Sequence, residues 1–197
     1  MESFTMKKLI VCVLTVLCTI VFSAEKIYRS TSKAEKDIVC YYRGSKFYSD
    51  NACKKLIYNH PGNYVSKEKT ANAKNAIYRL IGGRIHKGAS LKKEDCLGTI
   101  VVTRSNRGNV EEAKIYKGYC IVRDVVRKTQ PKGVEIITDY KITDNGLSEG
   151  KPAALLYTIK NNRIFRGDST KDTDCVLSYT APLSNSRLLF VVFELIK

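Results

Sequence analysis

Hydrophobic positions keep two different periods along this chain. In its first third they fall at helical spacing. Ser49 is placed to cap a short helix with Ala52, Cys53, Leu56 and Ile57 on one face, ended by Pro61-Gly62. Ser66 is placed to cap a second over 66–81. There Ala73, Ala76, Ile77 and Leu80 recur at i, i+3, i+4 and i+7, and Gly82-Gly83 ends it. Ile38–Tyr42, ahead of both, reads as a strand broken by Gly44.

From Leu97 the pattern becomes short β-rich runs divided by turns. The runs are Leu97–Thr103, Ile115–Val126, Val134–Ile142, Ala153–Lys160, Ile164–Phe165, Cys175–Thr180 and Leu188–Ile196. Between them stand "SNRGN" at 105–109, "QPKG" at 130–133, "TDNG" at 143–146 and Asn161-Asn162. Helices followed by turn-linked strands predict an α+β fold, with one or two N-terminal helices packed on a twisted antiparallel sheet. No internal repeat stands out.

The first residues carry a different signal. Lys7 and Lys8 precede an apolar run from Leu9 to Phe22, then Ser23 and Ala24. That is the layout of a secretory signal peptide, and the run is shorter than the roughly 20 residues a membrane span needs. The expected organisation is a signal peptide over 1–24, a polar leader over 25–37 and a single α+β domain over 38–197, secreted and without a membrane span. The formal net charge is +15 over the whole chain. Such a surface attracts anions at long range, although the basic residues are scattered.

In an oxidising compartment Cys40, Cys53, Cys96, Cys120 and Cys175 should pair where geometry allows. Cys96 and Cys120 lie equally far from Gly108. A hairpin about that turn would set them opposite one another and join them as a disulfide. Cys40 with Cys175 would tie the first strand to a late one and leave Cys53 as a thiol. With no C-x-x-C and only His60 and His86, no metal site is expected, and no cofactor.

Nucleophilic catalysis finds little support. Cys53 and His60 are too far apart on one helix, and no G-x-S-x-G occurs. General acid–base cleavage of RNA would have to draw on His86, Glu135, Arg84 or Arg123. Arg84, His86 and Lys87, in "GGRIHKG", form a basic glycine-rich segment that could contact a phosphate or RNA. The bland alternative is that His86 is an ordinary exposed loop residue.

"CYYRGSKFYSDNACKKLIYN", with Cys40, Gly44, Phe47, Ser49, Leu56 and Ile57, resembles the start of the RNase-like secreted effectors of powdery-mildew fungi. "LLYTIKNNRIF" and "CVLSYTAPLSNSRLLFVVF" resemble the last strands of the T1/N1-type ribonuclease fold. The final loop has Ser178 or Tyr179 where that fold places a histidine. The resemblance implies an RNase-like scaffold without its catalytic histidines. It would be a monomeric secreted virulence effector, not an enzyme, that binds host protein or host RNA and is open to recognition by a host immune receptor. An active secreted ribonuclease and an extracellular lipocalin-like ligand-binding protein are the alternatives.

Overall fold

The computed structural model describes residues 24–107, 109–129, 135–144 and 153–196, of which 121–129 and 135–144 are described as backbone alone. Residues 49–81, expected to hold two helices, are strand, turn and loop, and the final apolar run, expected as a strand, is a helix.

Among the described residues fourteen strands follow one another: β1 (Glu25–Arg29), β2 (Ile38–Arg43), β3 (Lys46–Tyr48), β4 (Leu56–Asn59), β5 (Tyr64–Val65), β6 (Tyr78–Ile81), β7 (Arg84–Lys87), β8 (Cys96–Asn106), β9 (Asn109–Lys117), β10 (Cys120–Thr129), β11 (Glu135–Asp144), β12 (Leu155–Lys160), β13 (Arg163–Arg166) and β14 (Cys175–Tyr179). A helix, α1 (Asn185–Leu195), comes after them. Twelve strands form one antiparallel sheet in the order β4-β3-β2-β1-β14-β13-β12-β9-β8-β7-β6-β5. β10 and β11 form a separate hairpin inserted between β9 and β12. β1 joins the sheet's early and late halves, because Ile27 faces Cys40 on one side and Tyr179 on the other. At the remaining seam Asn59 and Ser66 exchange backbone hydrogen bonds of 2.8 and 3.0 Å. The sheet is therefore an almost closed, up-and-down barrel, and closure removes exposed strand edges.

The barrel wraps α1. Leu188, Leu189, Phe190, Val191 and Val192 are consecutive and at most 2 % exposed. A helix apolar on every side must be buried on every side. It meets inward-facing residues such as Ile27, Phe47, Leu80, Ile115, Ile159 and Ile164. Phe190 packs tilted against Phe47 and edge-on against Tyr58, with ring centroids 4.6 and 4.9 Å apart. At ~1.5–3 kcal/mol per buried side chain, these five residues contribute on the order of 10 kcal/mol. The fit is close enough to select a glycine: a Cβ on Gly98 would lie 2.3 Å from Phe193 Cζ.

Three stretches of the chain are copies of one unit. "IYRSTSKAEKDI" from Ile27, "IHKGASLKKEDC" from Ile85 and "IFRGDSTKDTDC" from Ile164 align without a gap. Each runs from a strand through a loop and a single 3₁₀ turn into the next strand. In each a serine donates to an aspartate five residues on: Ser32 to Asp37 at 2.5 Å, Ser90 to Asp95 at 2.6 Å and Ser169 to Asp174 at 2.5 Å. In each the same serine oxygen accepts a backbone N–H at 3.1 Å, from Ala34, Lys92 or Lys171. Two residues before the serine, Ser30, Gly88 and Gly167 all have φ between 56° and 59°. The chain thus does contain an internal repeat, carried by a few turn residues and a two-residue strand alternation.

Several expectations are corrected by this architecture. The fold is nearly all β, not α+β or RNase-like, and the resemblance to powdery-mildew effectors and T1/N1-type ribonucleases does not survive it. Residues 25–29, assigned to a polar leader, are β1, with Ile27 fully buried. Ser49 to Lys55 is a turn before β4, held by Asp50, whose carboxylate accepts the Lys54 and Lys55 backbone N–H groups at 3.2 and 2.6 Å. No helix spans 66–81. Residues 66–77 are a loop pinned by Asn75, whose side-chain amide donates to Thr70 O and whose oxygen accepts Asn72 N–H, both at 2.9 Å. Ala73, part of the helical pattern, is exposed. Gly82 and Gly83, read as a helix stop, form the β6–β7 turn with φ of 55° and 70°. The signal-peptide expectation falls outside the described residues, apart from Ala24.

Candidate functional site

The up-and-down course gives the barrel two different ends. At one end strands are joined by short turns, such as Asn161-Asn162, both with positive φ. At the other end lie the long loops 30–37, 49–55, 66–77, 88–95 and 167–174. α1 enters from the turn end, where Val110 N–H donates to Leu183 O, and stops at Leu195 near the loop end.

On the long loops the two signs of charge are handled differently. Asp37, Asp95 and Asp174 accept the repeat serines, and Asp50 accepts backbone N–H groups. Asp168 pairs with Lys114 at 2.6 Å, Asp172 with Arg163 at 2.7 Å, and Glu68 accepts from Asn75 at 2.8 Å. Lys33, Lys36, Lys54, Lys55, Lys69, Lys74, Lys92 and Lys93 are all exposed. Most of the loop carboxylates hold the loops together, while Glu35 and Glu94 are exposed, and Lys33 and Lys93 rest their ammonium groups over the Tyr28 and Tyr119 rings. In the second repeat the loop tip is Leu91, 52 % exposed, directly before Lys92 and Lys93.

A cavity of about 510 Å³ opens at this end, where α1 stops. Its apolar wall includes Val39, Val176, Leu177, Leu195 and Ile196. Its cationic wall is Arg29 and Arg166, the last residues of β1 and β13, which flank β14 on its two sides. The alternation of strand side chains puts Arg29 on the face of Ile27 and Arg166 on the face of Ile164, both in the core. Two repeat copies thereby place an exposed arginine at the barrel mouth, lining the same cavity as Leu195 and Ile196 at the end of the helix. Among the described residues neither arginine meets a carboxylate. Arg104 pairs with Glu111 at 2.7 Å, and Arg84 and Arg79 donate to backbone carbonyls. Cys175 also lines the cavity; burial raises its thiol pKa, and its Sγ lies 3.4 Å from Leu177 O.

The residues singled out from sequence do not form this site. Arg84, His86 and Lys87 lie on β7, not in a loop. Alternation separates Lys87 from the other two. Arg84 stacks over the Tyr119 ring at 4.3 Å and donates to Cys120 O at 3.3 Å. His86 is only 2 % exposed, with Nδ1 3.2 Å from Lys92 O, so it is neither an exposed loop residue nor a phosphate ligand. Arg123 and Glu135 lie in β10 and β11, whose side chains are outside the described residues.

Nor do the cysteines pair as expected. Asn106 faces Asn109 and Gly98 faces Lys117, so the β8–β9 register is one residue off symmetry about Gly108. Cys96 remains a buried thiol near Gly98 O, and Cys120 begins β10 instead of ending β9. Cys40 and Cys175 belong to strands separated by β1, two strand spacings or about 10 Å apart, beyond disulfide reach. Burial pushes the Cys40 thiol up to about 12.

The other histidine, His60, directly follows β4, and its backbone N–H donates to Ser45 O at 2.7 Å. His60 is 7 % exposed, and burial, followed by the nearby positive charge of Arg187, lowers its pKa to about 4. Tyr58 donates to Glu194 on α1 and is raised above its ordinary range by burial and by that carboxylate. Among the described residues no group of three His, Cys, Asp or Glu could hold a metal ion.

Residues 12–109 match the family model described as "6-fold beta flower protein", a likeness that covers just under half of the chain. It agrees with the near-closed β architecture and not with a ribonuclease scaffold. No curated protein and no solved structure matches the chain. The effector, ribonuclease and lipocalin readings are overturned together. α1 fills the barrel interior that a lipocalin-like carrier would leave open for ligand.

Proposed function

We propose that this protein is a non-catalytic docking module whose long-loop end binds an anionic membrane surface. The observation that carries the reading is the second repeat loop. It lifts Leu91 into solvent beside Lys92 and Lys93, while Asp95, the repeat aspartate, is turned inward onto Ser90. An exposed apolar tip followed by two exposed lysines suits the boundary between headgroups and acyl chains, although Glu94, also exposed, and Asp95 bring the formal charge of the loop to zero. Loops 49–55 and 66–77, in which lysines outnumber carboxylates, add attraction, each lysine being worth about 1 kcal/mol near an anionic leaflet, whereas the carboxylates of 167–174 oppose it. The buried, unexposed positions of both histidines support a binding role over acid–base chemistry. Among the described residues no helix is long and apolar enough to cross a membrane.

Co-sedimentation with vesicles tests this. Binding should require phosphatidylserine, fall with salt and weaken roughly fivefold for each of Lys92→Gln and Lys93→Gln. Leu91→Asp should weaken it further. Equal binding to pure phosphatidylcholine, or retention on RNA with none on vesicles, would overturn the reading.

A further inference from the structure

We infer that the cavity at the end of α1 is a binding site for the head and first carbons of a single-chain amphiphile bearing a phosphate or carboxylate, gripped between Arg29 and Arg166. The inference rests on the loop end being the anion-binding face, but its residues are distinct from the Leu91 loop.

Three features carry it. The volume, about 510 Å³, lies within the roughly 300–1,000 Å³ of small-molecule sites. The lining is divided in kind: Val39, Leu177, Leu195 and Ile196 on one side and two guanidiniums on the other. The arginines, moreover, occupy the position that repeats in all three copies. Arg29, Lys87 and Arg166 each follow an inward-facing isoleucine by two residues, and only the first and third copies, separated by β14 alone, bring their cations to one cavity.

A solvent-exposed guanidinium at a barrel mouth, without a protein carboxylate, has planar donors that water alone satisfies and an anion can take over. Two such groups on either side of one strand match the oxygens of a single phosphate or carboxylate, which guanidinium forks bind in paired hydrogen bonds. The apolar wall then takes the chain attached to that head. A free inorganic anion would use the arginines and leave this wall wet; a neutral apolar molecule would leave the arginines unmatched.

Isothermal titration with soluble probes, in the absence of vesicles, tests the assignment. Octyl phosphate should bind, hexyl phosphate more weakly by about fourfold per methylene removed, and inorganic phosphate more weakly again. Octyltrimethylammonium should not bind. Arg29→Gln and Arg166→Gln should each weaken octyl phosphate binding roughly tenfold or more. Both arginines are exposed, so the fold should tolerate these changes. Equal affinities for octyl and inorganic phosphate, binding of the cationic analogue, or indifference to both substitutions would overturn the site. Leu91→Asp separates the two proposals. It should weaken vesicle binding more than either lysine substitution does and leave octyl phosphate affinity unchanged. Loss of vesicle docking with octyl phosphate retained refers to the loop; the reverse refers to the cavity.

Discussion

The Tyr78 phenol, on β6, donates to Glu194 near the end of α1 across 2.7 Å, and Tyr58 on β4 donates to the other carboxylate oxygen. A single carboxylate thereby pins the central helix to two strands from the early part of the chain. Hydrogen bonds to a charged group are each worth about 1.5–3 kcal/mol. Glu194→Ala should lower unfolding stability by about 2–4 kcal/mol, read as a lower denaturant midpoint at unchanged slope. Tyr78→Phe alone should lower it by about 1–2 kcal/mol.

Gly98 is close to α1 for a steric reason. Gly98→Ala places a methyl against Phe193, and its expected effect is a loss of about 1–3 kcal/mol. Phe193→Leu shortens the obstructing ring, so the double variant should be more stable than the two single losses add up to. A strictly additive cycle would show that Phe193 is not the group displaced.

The repeat supplies an internally controlled test. At one equivalent position Ser30 adopts φ 56° and Gly167 φ 58°. Nothing lies within 4 Å of a Cβ on Gly167, so the effect of adding one is conformational alone. Ser30→Gly should stabilise and Gly167→Ala destabilise, each by about 1 kcal/mol in thermal or chemical unfolding.

His60 sets an acid limit. Its folded pKa of about 4 lies below the ordinary 6.5, so the unfolded chain takes up a proton more readily. Its contribution is complete above pH 6.5 and is lost as pH falls toward 4, to at most about 3 kcal/mol. His60→Gln should flatten that part of a stability-against-pH curve.

Thiol reactivity should follow burial. Cys53 is half-buried in the turn before β4, whereas Cys40 is buried with its thiol raised to about 12. Under native conditions iodoacetamide should label Cys53 and spare Cys40 until denaturant is added, as peptide mapping would show.

Much of the β architecture was legible in the sequence, because it depends on alternation and turn chemistry. The strands near Ile38–Tyr42, 97–103, 153–160 and 175–180 and the turn at Asn161-Asn162 follow from those local rules. Two errors share one physical origin. Four apolar residues at helical spacing, Ala73 to Leu80, also suit a loop running into a short strand, and Gly82-Gly83 serves a tight turn as well as a helix end. The unbroken apolar run from Leu188 matches a buried strand as well as a helix with no polar face; only a barrel around it decides between them. The cavity was hidden for a further reason. Arg29 and Arg166 are 137 positions apart, and nothing local tells that β14 lies between them. The serine–aspartate repeat and its shared Arg/Lys position stand in the sequence itself, at 27–38, 85–96 and 164–175.

The strands of this barrel leave the ribosome before the segment they enclose. Until α1 arrives, a growing polypeptide holds a ring of greasy side chains with nothing at its axis, and the β1–β14 seam has no reason to shut. Assembly should be late, slow and all at once, with a strong dependence on whatever shelters nascent strand edges in the meantime.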